Sequence, residues 1–350
     1  MKPAAIRRPE LVILSALLEA EPGVVSGAHL ARELGMSRVA VWQHMEKLRE
    51  QGFIFESLHS KGYRITGRPA GLNLALLEAC RHTGKTANGA ATACAIHLLD
   101  EVDSTNDEAA RRLSAGEPAP FVVMAHRQTK GRGRFGRVWH SETSGNLYCS
   151  FAFRPQVDPA RMQSFTLWMG VSICEFIAHF CRASRTSPAA APGIKWPNDI
   201  LFDGRKAGGI LTEARMDADQ IRDLVLGLGL NLRPPAGGWP AELADRAVAL
   251  SEQTGHPVEV NRFAAALVER VLHAWDLFIS GRYKPAFQSL WQEHDLLRGQ
   301  HVAVLQGKQR IAGTAAGVDE EGCLLLTLAD GGTARFRAGE VTLEKKKRGK

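Results

Sequence analysis

The spacing of apolar positions changes three times along the chain, and each change predicts a different kind of element. Near the start, Leu11, Leu14, Leu17 and Leu18 recur at helical spacing within Glu10–Ala20. Leu30, Ala31 and Leu34 form a second apolar face, and Gly35 follows where a helix C-cap glycine belongs. Ser37 is placed to N-cap a third helix, in which Val41, Met45 and Leu48 fall at i, i+4 and i+7. Two short helices joined by a tight glycine turn give a helix-turn-helix pattern over Gly27 to Glu46. After them, FIFESLHSKGYRITG alternates and turns at Lys61-Gly62, as a β-hairpin wing does.

The central stretch, 72–297, interleaves the two periods. Strands are predicted over Phe121–Ala125, Leu147–Phe153, Asp199–Asp203, Gly209–Ala214 and Leu224–Leu232, and helices over Asn106–Ala115, Met162–Cys181 and Asn261–Ser280. From about Arg298 the texture becomes short strands with turns at Gly307-Lys308, Asp319–Gly322 and Asp330–Gly332, which predicts a small all-β barrel. The expected division is therefore 1–66, a linker at 67–71, a central domain at 72–297, a barrel at 298–344 and a basic tail at 345–350. The loop at 184–193, SRTSPAAAPG, has no assigned role.

Composition narrows the class. At 350 residues, 45% hydrophobic and 23% charged, the chain reads as globular with more than one domain. The most apolar helix, Met162–Cys181, is interrupted by Gln163, Glu175 and His179, and the first apolar run is bracketed by Glu10 and Glu19. No membrane span or cleaved leader is expected, and the expected location is cytoplasmic. Six cysteines form no CxxC pair and no zinc spacing, so reduced, buried thiols are expected. The net charge is +7, but five of those positive charges lie in the tail, and +7 less five leaves +2. Net charge therefore says little about nucleic acid.

The local pattern says more. A helix pair alone can be an αα-hairpin that only packs protein. The wing, with the polar Arg38, Gln43, Lys47 and Lys61, favours DNA. Ser37, Arg38 and Gln43 would then enter the major groove, and Lys61 and Arg64 would reach phosphate. Trp42 is unusual on such a helix and can instead pack against the wing.

The chemistry concentrates in QTKGRGRFGRVWHS, Gln128 to Ser141. Glycines let backbone N–H groups approach an anion, and arginines add charge-assisted bonds to phosphate or carboxylate. No GK[ST] follows, so this is not a P-loop. A flexible loop that folds over an anionic ligand is expected. In IKWPNDILFDGRKAGGILTE, Lys195 ends an apolar strand, Lys206 precedes a glycine pair that includes Gly209, and Asp199 offers oxygen to Mg²⁺. In DLVLGLGLNL, alternate leucines share one strand face, while Gly227, Gly229 and Asn231 share the other. That bare face is either a floor for a flat ligand or a seat for a helix. Ser104, Thr105 and Asn106 either cap a helix or bind a ureido-like or carboxyl group.

These motifs, in this order and spacing, resemble the bacterial biotin–protein ligases of the bifunctional ligase/repressor type. GRGRFGR and KWPNDILFDGRKAGGIL are specific to that group; DSTN, Gln128 and GLGLN agree with it. The resemblance implies an α+β multidomain chain: a winged helix-turn-helix, a class II synthetase-like mixed α/β ligase domain and an SH3-like barrel. It implies that biotin and ATP, with Mg²⁺, give biotinyl-5′-AMP, which passes biotin to a lysine of the biotin carboxyl carrier protein of acetyl-CoA carboxylase. It also implies repression of a biotin operon by a homodimer, with the adenylate as co-repressor.

By resemblance, Arg132 and Arg134 contact the biotin carboxylate and adenylate phosphate, and Arg137 the leaving pyrophosphate. Lys206 bonds the carboxyl oxygen, Lys195 approaches the phosphates, and Asn198 and Asp199 serve Mg²⁺ or ATP. Ser104, Thr105, Asn106 and Gln128 hold the biotin ring system, with Gly133, Gly209 and Gly229 beside it. Trp139 packs against adenine, and Asn231 belongs to the adenylate site. The cation count has a physical reason, because two unit charges at 4 Å repel by about 4 kcal/mol at an effective dielectric of ~20. Two rival readings remain: a biotin-sensing transcription factor without turnover, and a lipoate–protein ligase.

Overall fold

The computed structural model describes residues 8–59, 61–84, 93–141, 146–183 and 191–343. The chain forms two compact units. One takes the residues up to Leu98 together with Glu259–Glu269, and the other takes Leu99–Val258 and the chain from Arg270.

In the first unit, α1 (Pro9–Glu19) starts on a proline, whose missing N–H costs nothing in the first turn. It buries Ile13, Leu14, Leu17 and Leu18. Ser26 caps α2 (Gly27–Leu34) by accepting from His29 N at 3.1 Å, and Gly35 ends it in the left-handed region at φ 64°. Ser37 caps α3 (Arg38–Glu50) through Ala40 N at 3.1 Å, and Val41, Met45 and Leu48 point into the core. The wing is β1 (Ile54–Leu58) paired antiparallel with β2 (Gly62–Gly67), so the expected hairpin forms.

The first core does not stop at residue 66. Asn73 caps α4 (Leu74–Thr83), whose Leu76, Ala79 and Cys80 join Ile13, Leu30, Met45 and Phe55 in one apolar cluster with Ala265. The segment read as a free linker is tied down, because Asn261 Nδ2 donates to Gly71 O at 3.0 Å and Asn73 N donates to Asn261 Oδ1 at 2.7 Å. The expected start of the central domain at 72 thus differs from the packing. α4 is amphipathic, and its apolar stripe is buried in this core.

In the second unit the sheet is built from β3 (Ala95–Val102), then α5 (Thr105–Ser114), β4 (Phe121–Gln128), β5 (Leu147–Phe153) and α6 (Phe165–Ala183), followed by β6 (Gly193–Lys195), β7 (Asp199–Phe202), β8 (Arg205–Asp217) and β9 (Gln220–Leu230). Seven strands order as β3-β4-β5-β9-β8-β7-β6, with antiparallel pairing from β4 through to β6. α5 packs Ala109 and Leu113 against Phe121, Val123, Ala152 and Val225. The stretch Pro159–Ala183 is long and apolar enough to cross a membrane, and 72% of its most apolar window is buried inside the protein, as in a core helix. Short α7 (Leu250–Thr254) and α9 (Lys284–His294) follow in this unit, while long α8 (Val260–Ile279) belongs to the first unit up to Glu269 and to the second from Arg270.

The C-terminal element is an antiparallel five-stranded sheet of β10 (His301–Gln306), β11 (Gln309–Val318), β12 (Leu324–Thr327), β13 (Thr333–Phe336) and β14 (Glu340–Leu343), ordered β13-β12-β11-β10-β14. Its turns fall where Gly307, Gly322 and Gly331 adopt positive φ. Among the described residues the six cysteines form no disulfide; five are buried and Cys94 is half-buried. The basic tail and residues 184–190 of the proline/alanine loop lie outside the described residues.

Candidate functional site

The arginine-rich segment folds on itself. Arg132 and Val138 form an isolated antiparallel bridge, Gly133 N donates to Arg137 O at 2.7 Å, and Trp139 N donates to Gly131 O at 2.9 Å. Arg134–Gly136 makes a 3-10 turn between them. Gly131 has to be glycine, since a Cβ there would stand 2.3 Å from Ser141 Oγ. Phe135 takes a left-handed φ of 57°, and the Arg134 guanidinium lies 4.9 Å above its ring. What reads in sequence as slack backbone is thus a compact turn closed by its own hydrogen bonds.

The turn lines a cavity of about 570 Å³, within the range that small ligands occupy. Burial pulls the Arg134 guanidinium below its ordinary value, partly offset by Asp199 and Glu340. Burial also depresses Lys195; Asp199 opposes this, while the charges of Lys206, Arg137 and Arg246 add to it. Lys206 Nζ lies 2.7 Å from Asp199 Oδ1 and 5.2 Å from the centre of the Trp139 ring. Asn198 is tethered, donating from Nδ2 to Ile210 O at 2.7 Å and accepting from Arg134 Nη1 at 3.4 Å. These desolvated cations face one space, and that arrangement suits a polyanion.

Another part of the cavity lining, with Thr105, Asn106 and Gln128, is polar and buried. Thr105 donates to Gln128 Oε1 from its backbone N at 2.8 Å and from Oγ1 at 3.1 Å. Ser150 Oγ sits 2.8 Å from Thr105 Oγ1 and 2.6 Å from Asn106 Oδ1. Asn106 Nδ2 donates to Glu213 Oε2 at 2.6 Å. Ser104 is the N-cap residue of α5, but its hydroxyl makes no cap bond. A set of fixed donors and acceptors at one end of a cavity orients a small polar ring.

The glycine face of β9 resolves both of its alternatives. A Cβ on Gly227 would meet Asn106 Oδ1 at 2.2 Å, so the start of α5 seats there. A Cβ on Gly229 would meet the Trp139 ring at 2.6 Å, and one on Gly209 would meet the same ring at 3.3 Å. The floor is thus covered by an indole, whose Nε1 is buried without a hydrogen-bond partner among the described residues.

The cavity brings together the expected Ser104, Thr105, Asn106, Gln128, Arg132 and Gly133, and with them Arg134, Arg137, Trp139, Lys195, Asn198, Asp199, Lys206, Gly209 and Gly229. Asn231 is the exception. It does not line the cavity; its Nδ2 ties Lys206 O and Val248 O, both at 3.3 Å, because the strand ends at Leu230 and the side chain turns back into the structure. Two arginines are engaged by carboxylates. Arg137 pairs with Glu340, and Arg132 pairs with Asp107 and Glu213. Sequence reasoning missed Ser150, Arg246, Asp107 and Glu213. Asp107 follows the DSTN motif and Glu213 ends the quoted IKWPNDILFDGRKAGGILTE, but Ser150 carries no sequence signal inside an apolar strand. Among the described residues no group of three His, Cys, Asp or Glu side chains could hold a metal.

On the first unit, Arg38, Gln43 and Lys61 are exposed. Val39 is 66% and Trp42 50% exposed on the outward side of α3, so Trp42 is not absorbed by the wing. Arg64 Nε donates to Glu56 Oε2 across the hairpin at 2.7 Å.

Three known families match successive parts of the chain. The biotin/lipoate A/B protein ligase family matches residues 98–231, an HTH domain matches 10–64, and the biotin protein ligase C-terminal domain matches 298–343. The bifunctional ligase/repressor BirA of Bacillus spizizenii is 30% identical over 88% of this chain and 90% of its own length. The biotin–[acetyl-CoA-carboxylase] ligase of Mycobacterium tuberculosis is 31% identical over 70% of this chain and 88% of its own. The biotin protein ligase from Aquifex aeolicus in complex with biotin and ATP superposes with a TM-score of 0.57 at 29% identity, covering 72% of this chain and 99% of that one. The fold and site define an anion-activating ligase joined to a helix-turn-helix. The chain belongs to the biotin/lipoate A/B protein ligase family, with the domain make-up of its bifunctional ligase/repressors.

Proposed function

We propose that this chain activates biotin with ATP, transfers it to a protein lysine, and represses transcription by binding DNA through its winged helix-turn-helix. The observation that carries the ligase reading is the cavity itself. Desolvated Arg134 and Lys195 and the ammonium of Lys206 face one end, and the fixed polar set of Thr105, Asn106 and Gln128 closes the other. The polar end holds the biotin ring system. The cationic end brings the biotin carboxylate to the α-phosphate of ATP.

In the first step a carboxylate oxygen attacks the α-phosphorus, and pyrophosphate leaves. Arg134 and Lys195 offset charge on the phosphates, and Lys206 holds the carboxyl oxygen and later the acyl phosphate. Arg137 at the rim serves the leaving pyrophosphate, Trp139 supplies an aromatic wall for adenine, Gly133 allows close approach, and Gly209 and Gly229 leave room for the Trp139 ring. In the second step the acceptor lysine amine attacks the acyl carbon and AMP leaves. The acceptor we assign is the biotin carboxyl carrier protein of acetyl-CoA carboxylase.

Mg²⁺ would accompany the nucleotide. The Asp199 carboxylate, now paired with Lys206, and the Asn198 side-chain oxygen are hard oxygen donors of the kind Mg²⁺ takes. Asn198 and Asp199 would face it, and it would supply positive charge to the phosphates. We assign the adenylate-bound form to a homodimer, whose two winged helices match a palindromic operator. The domain divisions at 66, 71, 297 and 344 are likewise proposed as functional boundaries.

Pyrophosphate release from ATP and Mg²⁺ tests the ligase reading, with lipoate and octanoate as controls. Release with biotin alone is expected. Tight biotin binding without release would make the chain a sensor, and release with lipoate would make it a lipoate ligase.

A further inference from the structure

We propose that Asp107 and Glu213 are positioning residues, which hold the arginine turn over the cavity through Arg132. Arg132 Nη1 and Nη2 donate to the two oxygens of Asp107 at 2.5 and 2.7 Å, a bidentate pair. Nη2 also reaches the two Glu213 oxygens at 3.1 and 3.0 Å. One guanidinium is therefore shared by two carboxylates from different elements, α5 and β8. Isolated partly exposed ion pairs contribute little. A shared bidentate arrangement at the first residue of a tight turn does something else, because it fixes where the turn begins.

Two further observations give this clamp a purpose. Arg132 faces more negative charge than it carries, so a second anion gains little from it. Arg134 and Lys195 are held with their charge desolvated and undercompensated. The division of labour follows: Arg132 anchors, and its neighbours receive the anionic groups. The clamp is also wired to the polar end of the cavity. Glu213 accepts from Asn106, Asn106 contacts Ser150, Ser150 contacts Thr105, and Thr105 donates to Gln128. Groups that settle the ring and the residue that seats the arginine turn thus share one hydrogen-bonded chain. The inference rests on the reading of the cavity as the biotin and ATP site.

The test uses the full chain with Asp107→Asn, Glu213→Gln and both together. One readout is the rate of tryptic cleavage after Arg132 and Arg134, followed by mass spectrometry, without and with biotin and ATP. The other is the KM and kcat of pyrophosphate release. In the double variant, cleavage without substrates is expected to rise about tenfold and KM for biotin by a similar factor, while kcat stays within about twofold. Asp107→Glu is expected to restore both. The single variants carry the test if the double variant unfolds. Wild-type cleavage and KM in all variants would overturn the clamp. Cleavage needs no turnover, so it still judges the clamp if biotin-dependent release is absent and the ligase reading fails.

Discussion

Lys206 Nζ is bound on one side by Asp199 Oδ1 at 2.7 Å and on the other faces the Trp139 ring at 5.2 Å. A carboxylate entering the cavity has to compete with Asp199 for this ammonium, and an indole face can hold the cation while the exchange occurs. Lys206→Ala is expected to lower kcat for biotin-dependent pyrophosphate release by about 10²–10³-fold, the usual effect of removing one preorganised donor to developing charge. Asp199→Asn is expected to raise KM for Mg-ATP about tenfold and to leave biotin affinity unchanged or tighter. Titration calorimetry with biotin alone separates the two. Weakened biotin binding in Asp199→Asn would show that the pair positions Lys206 rather than restrains it.

A single methyl group tests the indole on the floor. Gly229→Ala places a Cβ 2.6 Å from the Trp139 ring, so the ring has to lift. Overpacking of this kind costs about 1–3 kcal/mol. Trp139 fluorescence should shift to the red and become more accessible to acrylamide, and biotin affinity should fall. An unchanged emission maximum would mean that the ring does not rest on Gly229 in solution.

Lys195 gives a pH dependence with a definite sign. Burial and neighbouring cations hold its pKa below 10.5, so it loses its proton earlier than an ordinary lysine as pH rises. Between its folded value and 10.5 the unfolded chain binds more protons than the folded one, so stability from this group rises with pH in that window. Function runs the other way. kcat/KM for ATP, which reports the free enzyme, should fall as pH rises through the lowered value. Lys195→Arg should flatten that limb, and an unchanged limb would remove Lys195 from the phosphate site.

Legibility in the sequence followed how local each cause was. Ser37, Gly35 and the Lys61-Gly62 turn act through their own backbone, and all three appear where the pattern put them. Most of the cavity lining was legible too, because glycine–cation spacing is chemistry written in one segment. What failed to show was partnership across the fold. Nothing near Arg132 announces that Glu213 will meet it from another strand. Asn231 kept the alternation of its strand on paper but turned inward once the strand ended at Leu230. α4 was passed over because the partners of its apolar stripe lie far away in sequence.

The exposed face of α3 separates base reading from phosphate attraction. Gln43→Ala is expected to relax preference at one operator base pair, at a cost of about 1–3 kcal/mol. Lys61→Ala should instead weaken all sequences alike and reduce the salt slope by about one. Selection from random DNA, followed by binding at several salt concentrations, checks both. Equal loss on every sequence for Gln43→Ala would move the base contact to Val39 or Trp42, which are exposed on the same helix.

Removing residues 1–66 would isolate the ligase if the division lay at the wing. Specific DNA binding should be lost in such a chain, since α3 is gone. Packing predicts a second consequence. Leu76, Ala79, Cys80 and Ala265 are each under 10% exposed because α1 and its neighbours cover them. Uncovering a single buried leucine costs about 1.5–3 kcal/mol in transfer free energy. The truncated chain should therefore bind a hydrophobic dye, associate at micromolar concentration and melt below the full chain, while retaining the cavity residues. Leu76→Gln should recover solubility in the truncated chain and destabilise the full-length one. A soluble truncated monomer with a full-length Tm would show that α4 has no share in the first core.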